Sequence, residues 1–105
     1  MNAIKIVIIG SGGREHALAW RCVMEGHEVI VAPGSDGIGA MQGARCESVA
    51  VGDHDGLIEL ITREDAELVV IGPEQPLVEG LADRLVELGV ATVGPGAEAA
   101  SLEGS

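Results

Sequence analysis

Short runs of β-branched and aliphatic residues alternate along the chain with longer stretches whose apolar positions recur every three or four residues. Residues 4–9 (IKIVII) form the first run, closed by Gly10, and suit a buried parallel strand. A helical pattern follows from Arg14 to about Glu25. Ala17, Trp20 and Met24 fall on one stripe, with Leu18 and Cys22 beside it, and Gly26 ends it. Residues 28–32 (EVIVA) predict a second strand, stopped by Pro33-Gly34. Residues 34–47 are glycine-rich with little periodicity, a stretch that is functional or hides a short helix. Residues 48–51 predict a short third strand. Asp53 is placed to cap a helix carrying Leu57, Ile58, Leu60 and Ile61. Residues 67–71 (ELVVI) predict the next strand, ended by Gly72-Pro73. A helix with Leu77, Leu81, Leu85 and Leu88 on one face follows, capped by Gly89. Residues 90–93 (VATV) predict the last strand, and residues 97–103 a final helical stretch.

Alternation of this kind predicts an α/β fold: a Rossmann-like, three-layer arrangement of about four to five parallel strands with helices on both faces. Nothing suggests an internal repeat or a linker, so residues 1–105 read as a single domain. In such sheets ligands collect at the carboxyl ends of the strands. Three loops are expected to meet there: residues 10–16, 33–36 and 72–76.

Composition narrows the core and the partners. The chain is 47% hydrophobic, yet Trp20 is its only aromatic residue, so the core is built from Ile, Leu, Val, Ala and Met. Seventeen acidic residues against six basic ones leave a formal charge of -11. A surface so acidic repels nucleic acid and anionic membranes, which are bound through many Lys and Arg contacts to phosphate. A small phosphate ligand needs only a few local donors and stays open. Cys22 and Cys46 form no CxxC and read as free thiols of a reducing cytosol. No apolar run approaches the roughly 20 residues that span a bilayer. The first residues lead directly into a strand and not into a signal peptide, so a cytoplasmic location is expected.

The glycine-rich turn after the first strand has the outline of a phosphate cradle, because small residues let backbone approach closely and a helix N-terminus offers unpaired N–H groups. A tight strand-to-helix turn with no ligand is the competing reading. The dinucleotide fingerprint GxGxxG fails: the chain reads Gly10-Ser11-Gly12-Gly13-Arg14-Glu15, with Glu15 in the third glycine's place. The second strand also ends at Ala32-Pro33-Gly34, without the carboxylate that would hold a ribose. A P-loop is excluded because the only lysine is Lys5. Arg14 could supplement the helix dipole for an anion, and Glu15 suits a helix start with or without a ligand. Gly72-Pro73-Glu74 is the second candidate: Glu74, at a strand's carboxyl end, is placed to accept hydrogen bonds from a ribose diol, or is a solvated loop acid. Asp53-His54-Asp55 resembles a metal pair, but capping accounts for Asp53 and nothing nearby completes a coordination shell. His27 reads as a loop residue, and no Ser/His/Asp or Cys/His set has catalytic spacing.

Three motifs together resemble the phosphoribosylamine–glycine ligase family, also called glycinamide ribonucleotide synthetase. The first is IIGSGGREHALAW at residues 8–20. The second is VIGPEQPLV at residues 70–78, with Gly80 and Asp83. The third is Gly94-Pro95 with Ala99-Ala100 and the LEGS at residues 102–105. Their order and spacing match along essentially the whole chain, and the Pro33-Gly34 turn fits as well.

The resemblance implies an ATP-grasp ligase of de novo purine biosynthesis, whose N-terminal domain precedes the domains that clamp ATP and Mg2+ or Mn2+. In that reaction glycine is activated as an acyl phosphate, and the amine of phosphoribosylamine attacks it, giving glycinamide ribonucleotide, ADP and phosphate. The N-terminal domain would help to form the phosphoribosylamine site. Gly12, Gly13, Arg14 and Glu15 would line the ribosyl phosphate or amine, Glu74 would take the ribose hydroxyls, and Gly72 and Pro73 would belong to the same substrate site. No catalytic residue and no cofactor are expected within these 105 residues. Family members continue for several hundred residues, usually from a lysine just after the motif that ends here at Ser105. This chain therefore reads as a fragment, inactive alone, whose apolar surface, once covered by the ATP-grasp domains, could drive homo-oligomerisation. The alternatives are a non-catalytic, self-associating α/β module and a nicotinamide-dinucleotide-binding domain.

Overall fold

The computed structural model describes residues 3–72 and 80–93. The expected final helix over residues 97–103, Leu77, Pro73, Glu74 and the third motif lie outside the described residues. Strands β1 (Lys5–Gly10), β2 (Glu28–Pro33), β3 (Ala44–Cys46), β4 (Leu68–Ile71) and β5 (Ala91–Val93) form one sheet. Its order is β3-β2-β1-β4-β5, and every pairing is parallel. Helices α1 (Gly13–Met24), α2 (Asp36–Gly39), α3 (His54–Glu64) and α4 (Leu81–Glu87) supply the crossovers among these residues. The α/β expectation holds, and the glycine-rich stretch after β2 does contain a short helix, α2.

Side chains of β1 alternate between two cores. Ile6 and Ile8 join Val29, Val31, Val70, Ala19 and Ile38 on the side of α1 and α2. Val7 and Ile9 join Ile30, Ala32, Val69 and Ile71 under Leu57, Leu60 and Ile61 of α3 and Leu81 and Leu85 of α4. A strand buried on both faces must be apolar at nearly every position, which is why IKIVII does not alternate. Each fully buried aliphatic side chain contributes about 1.5–3 kcal/mol relative to exposure. No helix of the described residues is long and apolar enough to cross a membrane.

Three expectations are corrected. The third strand is Ala44–Cys46 and not residues 48–51. Ala44, Arg45 and Cys46 pair with Val29, Ile30 and Val31, whereas Val49 and Val51 pack against the α3 side of the core from an irregular segment. Their apolar character is spent on covering the core, not on a ladder. The buried stripe of α1 also differs. Glu15 and Ala19 are buried, with Leu18, Cys22 and Val23 half-buried at the matching helical spacing, while Trp20 and Met24 are 54% and 64% exposed. Ala19 brings the helix close against the sheet, leaving no depth there for an indole. Leu88, expected on the apolar face of α4, is likewise exposed and forms the helix C-cap.

Helix ends follow their local chemistry. The Asp53 carboxylate accepts from the Gly56 N–H at 3.0 Å, the expected cap of α3. Helix α1 closes with the Gly26 N–H bonded to Val23 and the His27 N–H to Cys22, with Gly26 at φ +90°. His27 does more than end the helix: its Nδ1 accepts from the Ile4 N–H at 3.1 Å and fixes the entry to β1.

Candidate functional site

Strand β1 lies between β2 and β4, and α1, which follows β1, packs on one face of the sheet while α4, the next described helix after β4, packs on the other. The carboxyl ends of β1 and β4 therefore mark the topological switch point of the sheet, where open α/β folds hold ligands in a crevice. It is bounded by residues 10–13 on one side and by Gly72 on the other. The expected convergence of the loops after β1, β2 and β4 is therefore present as far as Gly72. Pro73 and Glu74 lie outside the described residues.

The first loop is organised around Glu15. Gly12 is the N-cap of α1, and the Glu15 side chain turns back to accept its N–H at 2.9 Å, satisfying one of the donors left free at a helix start. Glu15 is only 9% exposed. Gly10 has φ +139°, and a Cβ there would stand 2.5 Å from Glu15 Oε1; a Cβ on Gly72 would stand 2.7 Å from Glu15 Cδ and Oε2. The carboxylate thus lies packed between the ends of β1 and β4. Gly13 faces open space, with no other atom within 4 Å of where its Cβ would be.

Arg14 lies on the rim. Its guanidinium donates to the Gly72 carbonyl oxygen at 2.7 Å, and its Nε stands 3.9 Å from Glu15 Oε2. The side chain is otherwise largely solvent-exposed. The remaining cations are engaged elsewhere: Lys5, Arg45 and Arg63 with Glu28, Glu47 and Glu64, Arg21 with Glu25, and Arg84 with Asp55. Arg14 is accordingly the cation at this edge of the sheet among the described residues. The His16 ring lies beside the first turn of α2, its Cε1 3.4 Å from where a Cβ on Gly37 would be. Ser35 caps that turn by accepting from the Ile38 N–H at 3.2 Å. Sequence reasoning marked both loops but missed two relationships, the Arg14–Gly72 bond and the His16–Gly37 approach. Both join residues far apart in sequence and carry no local signal.

Lys5 opens β1 at the amino edge of the sheet, paired with Glu28 and Glu64, so no lysine reaches the crevice. The place of a third fingerprint glycine is filled by the Glu15 carboxylate. No group of three or more His, Cys, Asp or Glu among the described residues could hold a metal ion. Asp53 and Asp55 are accounted for by the α3 cap and by Arg84, respectively. Cys22 and Cys46 are free and half-buried, and burial pushes the Cys22 thiol above its ordinary pKa.

A parallel sheet of this order, with a glycine-rich first crossover, defines a Rossmann-like α/β domain. Solved structures agree. The Bordetella bronchiseptica enzyme WbmG in complex with NAD superposes with a TM-score of 0.71 at 18% identity, over 89% of this chain and 37% of that one. RSP in complex with β-NADH gives 0.57 at 19% identity, over 88% and 45%. At such identities the likeness shows the fold alone.

Sequence comparison is more specific. Residues 4–103 match the family described as phosphoribosylglycinamide synthetase, N domain, and the chain belongs to that family. A phosphoribosylamine–glycine ligase of Xanthomonas campestris pv. campestris is 49% identical over 104 residues, 97% of this chain and 24% of the relative. The trifunctional purine biosynthetic protein adenosine-3 of Homo sapiens is 42% identical over 105 residues, 98% of this chain and 10% of that protein. The chain thus spans about a quarter of the length of the single-function ligase and a tenth of the trifunctional protein.

Proposed function

We propose that this chain is the N-terminal, substrate-holding domain of a phosphoribosylamine–glycine ligase, the ATP-dependent enzyme that makes glycinamide ribonucleotide in purine biosynthesis. The observation that carries the reading is the placement of the first and second family motifs. They lie some 58 residues apart in sequence, yet Arg14 of one is hydrogen-bonded to Gly72 of the other at the switch point. In this reading Gly12, Gly13 and Arg14 face the ribosyl phosphate or amine of phosphoribosylamine, and Glu15 forms the floor behind them. Gly72, Pro73 and Glu74 take the ribose hydroxyls.

The part of this chain in the reaction is to bind and orient. ATP and its Mg2+ or Mn2+ would be held by ATP-grasp domains of the longer protein, so the domain alone is expected to be inactive as a ligase. A cytoplasmic setting suits its two free thiols.

An amide-resolved NMR titration with ribose 5-phosphate and glycinamide ribonucleotide, with NAD as control, tests the reading. Shifts confined to residues 10–16 and 72–76 are expected. Shifts elsewhere, or a preference for NAD, would replace it with a different ligand class. Binding unchanged by Glu74→Ala would remove that carboxylate from the site.

A further inference from the structure

In nucleotide-binding relatives of this fold, glycines at the first crossover let backbone approach a ligand's phosphates. Here the approach is made by a side chain of the protein itself. Gly10 and Gly72 have no room for a Cβ because the Glu15 carboxyl group already stands 2.5–2.8 Å from where each would be. A space too small for a methyl group on either wall is too small for a phosphate oxygen. The same carboxylate takes the Gly12 N–H and sets a full negative charge at the positive end of the α1 dipole. Both the volume and the charge that an entering diphosphate would require are therefore occupied.

We propose that Glu15 is the resident anion of this glycine cradle and a specificity-determining residue. It excludes dinucleotide diphosphates from the switch point and holds the end of β4 against the end of β1. The inference goes beyond the proposed substrate, since it holds whichever ligand the outer loops take. It also explains the glycines at 10 and 72 without any ligand. Glu15 acts by position: on one flank it accepts from Gly12, and on the other it lies against Gly72, whose N–H donates to the Ile9 carbonyl at 2.9 Å.

Inorganic pyrophosphate is the appropriate probe, because β2 ends without the carboxylate that a dinucleotide's ribose needs. The 105-residue chain, Glu15→Gln and Glu15→Ala are titrated by amide-resolved NMR. The Gln variant keeps the shape and removes the charge; the Ala variant removes both. In the unsubstituted chain, pyrophosphate is expected to leave the Gly10 and Gly12 amides, which lie against the Glu15 carboxyl group, unshifted, whatever it does at the open Gly13. In Glu15→Ala, the Gly10 and Gly12 amides shift with an affinity at least tenfold higher, the Gly12 amide resonance moves without ligand, and Gly72 exchanges its amide hydrogen at least fivefold faster. Glu15→Gln, which still fills the space, is expected to bind pyrophosphate more weakly than Glu15→Ala; should the Ala variant fail to fold, Glu15→Ser, which also empties the space, takes its place. Equal pyrophosphate binding by the unsubstituted chain and the variant that empties the space would overturn the proposal, as would an unmoved Gly12 resonance in that variant. A purely structural role would lower stability in both variants without creating an anion site.

Discussion

The Arg14 guanidinium donates a 2.7 Å hydrogen bond to the Gly72 carbonyl oxygen, joining the first turn of α1 to the end of β4. A carbonyl at the end of a strand has no ladder partner beyond it, and a planar guanidinium can bond it while leaving other donors free for an anion. The bond makes the geometry of one candidate loop depend on the other.

Arg14→Ala should therefore affect two quantities unequally. A hydrogen bond from a charged group to a buried carbonyl contributes about 1.5–3 kcal/mol, but Arg14 is mostly solvated, so a loss of about 0.5–1 kcal/mol is expected. Ribose 5-phosphate binding should fall by more than tenfold, since the edge loses its cation and its brace together. Arg14→Lys should restore part of the charge effect and little of the brace. Urea denaturation and the NMR titration, run on the same samples, check both. Unchanged amide exchange at Gly72 in Arg14→Ala would show that the bond does not hold the loop.

The order of strands and helices was legible because each buried strand is a near-continuous aliphatic run bounded by glycine or proline, as in residues 4–10 and 67–72. The site was legible only as separate loops. Glu15 looked like an ordinary first-turn acid. Its burial depends on Gly72, 57 positions further on, leaving a space beside β1 that no local pattern encodes. Strand β3 was misplaced because Val49 and Val51 look more strand-like than Ala44-Arg45-Cys46, while tertiary pairing with β2 selects the latter. The face of α1 is hidden in the sequence because Trp20 and Met24 carry far more apolar surface than Ala19, although only a small residue fits against the sheet.

That last point has a direct test. Trp20→Ser removes a large apolar side chain that is more than half exposed, and should change stability by less than about 1 kcal/mol. Ala19→Leu adds volume at a fully buried position and should cost about 1–3 kcal/mol. Differential scanning calorimetry on the two variants distinguishes the faces. A larger loss from Trp20→Ser than from Ala19→Leu would reverse the helix orientation.

On the other side of the sheet, Leu60 of α3 is fully buried with Val7, Ile30 and Val69, whereas Val86 of α4 is exposed. Leu60→Ala should cost about 2–5 kcal/mol, a large part of the roughly 5–15 kcal/mol that stabilises a domain. Val86→Ala, although also a removal of apolar atoms, should be nearly neutral. Comparable denaturation midpoints for the two variants would contradict the assigned core.

Acid sensitivity should centre on Glu64, at the end of α3. Its carboxylate is bonded to Arg45 at 2.7 Å and to Lys5 at 3.3 Å, with Arg63 Nε at 3.5 Å. Hydrogen bonding to Arg45 is the main cause that holds its pKa below the ordinary carboxylate value; desolvation opposes it, and a weaker contribution from Lys5 adds to it. A carboxyl group whose folded pKa lies below its unfolded one favours the folded state fully above the unfolded value, about 4.3 for glutamate. That contribution declines as the pH falls through the folded value, where both states carry the proton. The urea midpoint should accordingly drop as the pH is lowered from the ordinary carboxylate range. Glu64→Gln should lower the midpoint at neutral pH and flatten this acid limb, because the variant has no proton to take up there. Arg45→Ala should flatten it as well, by returning the Glu64 pKa towards its ordinary value. Acid limbs that run parallel in all three proteins would locate the pH dependence in other carboxylates and reduce the Glu64 cluster to a solvated surface pair.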